Sequence, residues 1–434
     1  MATDPREIID HEPMSRFQWG VVAIMVGLNA LDGFDVLSIS FASPGIAAAW
    51  HIDRAALGFV LSMELIGMAI GSFVLGGAAD RIGRRATILA CLVTMAIGMF
   101  GASSAHGVVT LSCWRVLTGL GIGGMLAATN AAVAEASNLA RRNLAVVLMA
   151  GGYPVGAIIG GTIAAQLLAH YDWPSVFQFG AAATLAFIPL VWWRSPESIA
   201  FLAGRGGAGA LDAINHTLAR MGHAPASALP DPTPRTKAPV ASLFAPDLIQ
   251  RTILLTIAYL AHIMTFYFIL KWIPKIVVDM GFAPSAAAGV LVWANVGGAS
   301  GALLLGLLTA RVRLAALTIT AMLASTALVI FFGEGQDSLV HLSPVAALTG
   351  FCTNAGVVGL YALVARAFPT DVRASATGFV IGIGRGGSAL VPALAGLLFA
   401  AGHGLGTVAT LMAFGSIIAA AAIAILGRRA DASG

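Results

Sequence analysis

The sequence predicts an all-α membrane protein of twelve transmembrane helices, set out as two six-helix bundles. Three observations predict it. Hydrophobic residues make up 58% of the 434 and charged residues only 10%, against roughly 45–50% and 25% in an average soluble domain. Twelve unbroken apolar runs come near the roughly 20 residues a helix needs to cross the hydrocarbon core. The single long polar stretch, 194–249, falls between the sixth and seventh runs. The chain therefore divides into a bundle over 1–193, a linker over 194–249 and a second bundle over 250–434, a layout that points to two related halves. A membrane barrel would alternate apolar and polar residues over ten-residue segments, whereas these runs are continuous and rich in Ala, Leu and Gly.

The first 16 residues are polar. The run that follows, 17–42, is too long for the apolar region of a cleavable leader, so it reads as a retained span. Runs at 57–78, 86–105, 109–134, 143–169 and 175–193 complete the first half. The linker holds Gly204, Gly206, Gly207 and Gly209, then Pro225, Pro230, Pro232, Pro234 and Pro239, with a short helix near Leu211–Met221. It is too short for a catalytic domain. Runs at 250–270, 284–308, 314–333, 342–366, 375–401 and 405–427 form the second half. Cys91, Cys113 and Cys352 each lie inside a run, and their odd number without paired spacing argues against a disulfide framework or a zinc site.

Lys and Arg set the orientation. With the N-terminus in the cytoplasm, 19 of the 24 fall on the inside and only Arg54, Lys271 and Lys275 on the outside. Both termini are therefore expected inside, as an even helix count requires. Arg115 and Arg385 remain, both within apolar runs. His51, His106, His170, His341 and His403 fall on the outer side and read as interfacial loop residues.

The loop after the second run reads Gly76-Gly77-Ala78-Ala79-Asp80-Arg81-Ile82-Gly83-Arg84-Arg85. Asp80 is suited to capping a neighbouring helix N-terminus, where the dipole favours an anion, and Arg81, Arg84 and Arg85 to pairing with acids at other helix ends. This decamer resembles the G-x-x-x-D-R-x-G-R-R loop of the major facilitator superfamily. The resemblance, together with the six-plus-six layout, covers nearly the whole chain and implies the major facilitator fold. In the second half the loop Gly306–Arg313 has Ala310 where the acid would stand, so a weaker lock is expected there. Glu135 is expected to join the cytoplasmic charge network, and Arg373, before the eleventh run, to act in gating with Asp80, Arg81, Arg84 and Arg85. On the fourth run, Arg115 with Gly119 and Gly123 looks like the superfamily's fourth-helix signature, and small residues there permit close helix approach. On the fifth, Gly151-Gly152-Tyr153-Pro154 is only loosely similar to the antiporter signature.

Asn29, Asp32 and Asp35 lie at i, i+3 and i+6 in the first run, within one polar face. Acids at bilayer depth need a partner, a proton or a water-filled cavity. The stretch Asp32-Gly33-Phe34-Asp35 resembles the first-helix D-G-x-D of the aromatic acid:H⁺ symporters within the superfamily. Pro196-Glu197-Ser198, Lys271-Trp272-Ile273-Pro274 and Phe368-Pro369-Thr370-Asp371-Val372-Arg373 are similar to other stretches of that family, although Ile199 and Ala200 depart from its pattern. Arg385, flanked by Gly384 and Gly386, has room to present its planar fork to a carboxylate.

The resemblance implies a proton-coupled symporter, not an enzyme, that imports an aromatic carboxylate of the hydroxybenzoate kind across a bacterial inner membrane by alternating access. Asp32, Asp35 and Glu64 are the proton-coupling candidates. The substrate-binding candidates are Arg385, Arg115, Asn29, His262, Tyr267, Trp293, Asn295, Asn354 and Tyr361, although a packing role competes at each aromatic and amide position. For His262 packing is the favoured reading. Glu64 is also a candidate partner of Arg115. The expected partners are the small acid, the proton and the bilayer, with a monomer as the working unit. No cofactor, metal or nucleic acid is expected. Transport of another organic acid or a sugar is the alternative within the same class. A polytopic sensor would need an output domain that 194–249 cannot supply, and a membrane enzyme would need clustered nucleophiles or histidines.

Overall fold

The computed structural model describes residues 4–207, 209–229, 240–335, 338–369 and 372–432, with Gly76, Asp80, Ala374 and 428–432 described by backbone alone. Pro230, Pro232, Pro234, Pro239, Thr370 and Asp371 lie outside the described residues. The helices are α1 (Pro5–His11), α2 (Arg16–Trp50), α3 (Arg54–Ile82), α4 (Arg84–Ser103), α5 (Val108–Ala136), α6 (Arg142–His170), α7 (Pro174–Arg194), α8 (Ile199–Arg205), α9 (Ala210–Met221), α10 (Ile249–Asp279), α11 (Pro284–Leu308), α12 (Leu314–Gly333), α13 (Leu339–Ala367), α14 (Arg373–Ser388), α15 (Leu390–Ala400) and α16 (Leu405–Ala432). Among the described residues twelve spans are long and apolar enough to cross a membrane, α14 and α15 together making the eleventh.

Local chemistry explains where the helices begin and end. Ser15 and Gln18 form a capping box at the start of α2, and Asp53 accepts from the Ala56 amide at the start of α3 (2.8 Å). Helix α2 runs past residue 42 to Trp50, and its serines bond to their own backbone. Ser38 and Ser43 donate to the carbonyls of Asp35 and Ser40. The turn between α3 and α4 is Gly83, with φ of 102°, a conformation that favours glycine. A Cβ there would also lie 2.3 Å from the Glu197 carboxylate.

Small residues set the helix spacing. Helices α3 and α5 pack backbone to backbone, with Gly67 and Gly71 against the Val116 and Leu120 carbonyls and Gly119 and Gly123 against those of Glu64 and Met68. Their counterparts in the second half, α11 and α13, do the same through Gly297, Gly301 and Gly350. Helices α2 and α6 meet at Gly156, whose Cβ would stand 1.7 Å from the Ala30 carbonyl oxygen.

The halves meet through α6 with α11, α3 with α14 and α15, and α2 with α10 and α11. Contact is close at the end where α3 begins, here the Arg54 end. Gly58 faces the Pro392 carbonyl, Gly396 faces the Arg54 carbonyl, and Ser62 accepts from the Ala393 amide (3.0 Å). The opposite, loop end carries Gly83 and the two short helices α8 and α9.

The eleventh span, Ser375–Ala400, matches the run that the sequence predicts and has a one-residue interruption. It breaks at Ala389 between α14 and α15. Pro392 is the cause, since its ring opposes the carbonyl four residues earlier and it donates no hydrogen bond.

Gly156→Val is expected to lower stability by about 2–3 kcal/mol, because the added methyl groups must displace α2. Gly151, with no neighbour within 4 Å of its would-be Cβ, should accept alanine without loss. Thermal unfolding of the two purified variants checks this, and equal behaviour would contradict the packing described.

Candidate functional site

Arg385 is half-buried where the two halves face each other. Gly384 lies against the Tyr259 ring and Gly387 against Leu260, so α14 seats closely on α10 and aims the guanidinium inward. Its electrostatic neighbours are Tyr259, Tyr267 and Tyr361 from its own half and Tyr153 and Asp32 from the other. Four of the five tyrosines in the chain are thus among the electrostatic neighbours of one cation. The Tyr259 and Tyr361 hydroxyls are hydrogen-bonded to each other at 3.0 Å. Among the described residues, no carboxylate stands within 4 Å of Arg385. The arrangement offers a planar cationic fork, aromatic faces and phenolic hydroxyls in one place.

The polar face of α2 divides its tasks. Asn29 donates to the Met149 carbonyl (2.7 Å) and ties α2 to α6, while its own amide oxygen is buried without a partner. Asp32 is buried with Oδ1 unpartnered, and its neighbours are Asp35 and Arg385. Asp35 is also buried, with neither carboxylate oxygen hydrogen-bonded. It lies inside the first bundle, against Gly180 of α7, and its neighbours are Arg115 and Glu64. The two acids share a helix and lie near one another, but only Asp32 looks across to Arg385.

Glu64 joins three helices. It is fully buried, paired with Arg115 of α5 and, at 3.1 Å, with Lys271 of α10. Arg115 also donates to the Asp35 carbonyl and meets the Met99 sulfur, both at 3.1 Å, and it sits over the Phe177 ring at 5.3 Å. This corrects Arg115 as a substrate-binding candidate, because its guanidinium is occupied inside the first bundle and 0% exposed. Lys271 corrects the count of outside charges. It is buried within α10, which continues to Asp279.

Other candidates resolve into packing. His262 is corrected in this way. Its Nε2 lies 2.8 Å from the Thr353 carbonyl, which can only accept, so Nε2 carries the proton and Nδ1 accepts from the Ser416 hydroxyl (2.9 Å). No ring nitrogen is left for a ligand. Trp293 is 53% exposed, on the outer face of α11 with Leu304 and turned away from Asn295. Asn295 donates to Leu291 within its own helix (2.8 Å). Asn354 donates to the Gly298 carbonyl (2.7 Å) and joins α13 to α11. Tyr267 and Tyr361 remain beside Arg385. Sequence reasoning passed over Tyr153 and Tyr259 as site residues.

At the loop end Arg84 pairs with Glu135 at 3.0 Å, and Glu135 also takes the Ser198 hydroxyl. The cap of α4 is Glu197, which accepts from the Arg84, Arg85 and Ser198 amides (2.7, 3.2 and 2.9 Å). Its place in Pro196-Glu197-Ser198 was the available signal. Asp80, the expected cap, has its side chain outside what is described. Arg81 is exposed at the end of α3. Arg85 donates to the Trp192 carbonyl and lies over its ring at 5.0 Å. Arg373 donates to the Phe368 carbonyl (3.3 Å).

Comparison with known proteins adds to this geometry. Residues 25–344 match the family model of the Major Facilitator Superfamily. A gallate transporter of Pseudomonas putida is 30% identical over 425 residues, covering 97% of this chain and 94% of that protein. A 4-hydroxybenzoate transporter of Pseudomonas aeruginosa is 28% identical, covering 98% and 96%. A 3-(3-hydroxy-phenyl)propionate transporter of Escherichia coli is 29% identical, covering 92% and 91%. Among solved structures, the inward-open xylose transporter of Escherichia coli superposes with a TM-score of 0.72 at 16% identity, covering 94% of this chain and 95% of that one. That likeness bears on the fold.

His262→Leu is expected to lower stability by about 1–3 kcal/mol, since two buried polar partners are left unpaired. Adding Ser416→Ala to it should then cost little more, as coupled residues are not additive. Full additivity of the two losses in thermal unfolding would contradict the hydrogen-bonded arrangement.

Proposed function

The chain belongs to the major facilitator superfamily, among its transporters of aromatic acids, and on that premise we propose that it carries an aromatic carboxylate together with a proton across a bacterial inner membrane. The observation that carries this reading is Arg385, a guanidinium at bilayer depth with four tyrosines and no ion-paired carboxylate among the described residues. A substrate carboxylate fits the planar fork through two charge-assisted hydrogen bonds. The tyrosine rings match an aromatic ring, and their hydroxyls match ring hydroxyls. The relatives named above carry gallate, 4-hydroxybenzoate and 3-(3-hydroxy-phenyl)propionate, all hydroxylated aromatic acids. A sugar brings no anionic group for the planar fork, and the likeness to xylose transporters is one of fold.

Charge balance supports coupling to a proton through Asp32. In the empty site an ionised Asp32 opposes Arg385. In the loaded site the substrate anion takes that place, and the site returns to balance when Asp32 holds a proton. A desolvated site is carried between two open states at least cost when its charges cancel. Each cycle then moves one anion and one proton. Asp35, set against Arg115 and Glu64 inside the bundle, is the support of this arrangement rather than its mobile part. The distribution of Lys and Arg supports a cytoplasmic loop end and both termini inside. The Arg54 end is then the outer end, where the halves are in close contact. Glu135, Arg84 and Glu197 would hold the inner ends of α4, α5 and α8 together through the cycle.

Uptake of labelled 4-hydroxybenzoate into proteoliposomes under an imposed pH gradient tests the proposal. Arg385→Lys keeps the charge but loses the fork, and should weaken binding on the order of 10- to 100-fold, the loss of a charge-assisted hydrogen bond of about 1.5–3 kcal/mol. Wild-type affinity in Arg385→Ala would overturn the assignment. Asp32→Asn should bind substrate yet fail to accumulate it in response to the gradient. Accumulation above equilibrium in both Asp32→Asn and Asp35→Asn would move the coupling site away from α2.

A further inference from the structure

Among the described residues two ion pairs cross between the halves, and both join α3 to α10. Arg54 meets Asp279 at 2.9 Å close to the surface, where Lys275 also meets Asp279. Deeper in the same seam, Glu64 meets Lys271 at 3.1 Å. The helices run antiparallel, so the two pairs are successive rungs of one ladder. Their surroundings differ. The Arg54 side chain is 42% exposed, whereas Glu64 and Lys271 are both sealed from solvent. An exposed pair contributes little, while a buried charge stripped of its partner is strongly unfavourable.

Lys271 belongs to the second half, yet its ammonium donates to two groups of the first, the Glu64 carboxylate and the Val36 carbonyl. Parting the halves at this end would leave the lysine without either. We propose that Lys271 is a pin seated on Glu64 that holds the Arg54 end shut, and that neutralising Glu64 is what unseats it. This rests on the reading that the two halves rock about the central site, but it needs no particular substrate.

The charges around Glu64 make the pin responsive. Arg115 faces it from α5, Lys271 and Tyr267 from α10, Asp35 from α2 and Tyr153 from α6. Arg385 of α14 shares Tyr267 as a neighbour. Helix α15 meets α3 through the Ala393 amide on Ser62 and carries no ionisable side chain. With both acids ionised, Asp35 and Glu64 offset Arg115 and Lys271. With Glu64 neutral, two cations face one carboxylate, and their repulsion falls on Lys271, the one held from the other half.

Hydrogen–deuterium exchange of the purified full-length protein, without substrate, tests the pin. Glu64→Gln keeps a polar side chain but removes the charge, and Lys271→Met removes the pin. Each should raise exchange about tenfold in segments 51–64, 272–283 and 390–404, a coupling of ordinary size between distant groups. Segments at the loop end, 195–205 among them, should show no such rise. Arg54→Ala, which removes only the exposed rung, should change the same segments by less than about threefold. Unchanged exchange at the Arg54 end in Glu64→Gln would overturn the proposal, and so would a uniform rise across both ends, which marks general loosening. Where Lys271→Met fails to fold, Glu64→Gln decides alone. Uptake is not the readout, so failure here leaves the transport reading standing, and failure of that reading leaves this one open to test.

Discussion

The cost of holding charge out of water governs this structure. Ionised groups at bilayer depth persist when each is matched by an opposite charge or a polar cavity. Glu64 meets the demand for Arg115 and Lys271 at once and draws α3, α5 and α10 to a common point. Arg385 is the exception that gives the molecule a use. It is half-buried and ringed by phenols, and no carboxylate among the described residues is paired with it.

The scaffold around these charges is built from small side chains. Backbone-to-backbone packing of α3 on α5 and α2 on α6 brings Glu64, Arg115, Asp32 and Asp35 within reach of one another. The break at Ala389 ends α14 just past Arg385, and Gly384 lets that turn lie on the Tyr259 ring. Helices α2, α10 and α14, which carry site residues, also make contacts across the seam.

Much of the fold was legible in the sequence, since hydrocarbon thickness imposes a run length that composition reveals directly. Arg385 was legible as a lone charge within an apolar run, and Asp32 as one of two acids on a polar face. What escaped were pairings between distant segments. Glu64 and Lys271 stand 207 residues apart, and no local pattern joins them. Lys271 was misplaced because the seventh run was ended at 270, although Trp272, Ile273, Ile276 and Val277 continue an apolar, buried helix. That continuation was the overlooked signal. Glu197 lay within a quoted motif, yet its cap on α4 depends on the φ of Gly83, which only the folded chain displays. Tyr153 and Tyr259 were passed over because they lie 232 and 126 residues from Arg385 in the chain, and only the folded chain brings them near it.

The central claim is that Arg385 lacks a carboxylate so that it can take one from the substrate. An equilibrium titration of the wild-type protein with 4-hydroxybenzoate and with 4-hydroxybenzamide tests it most directly, since the two differ only in the group offered to the guanidinium. The account predicts that the acid binds and that the amide binds at least ~100-fold more weakly, about 2.7 kcal/mol. Equal affinity for the two would contradict it.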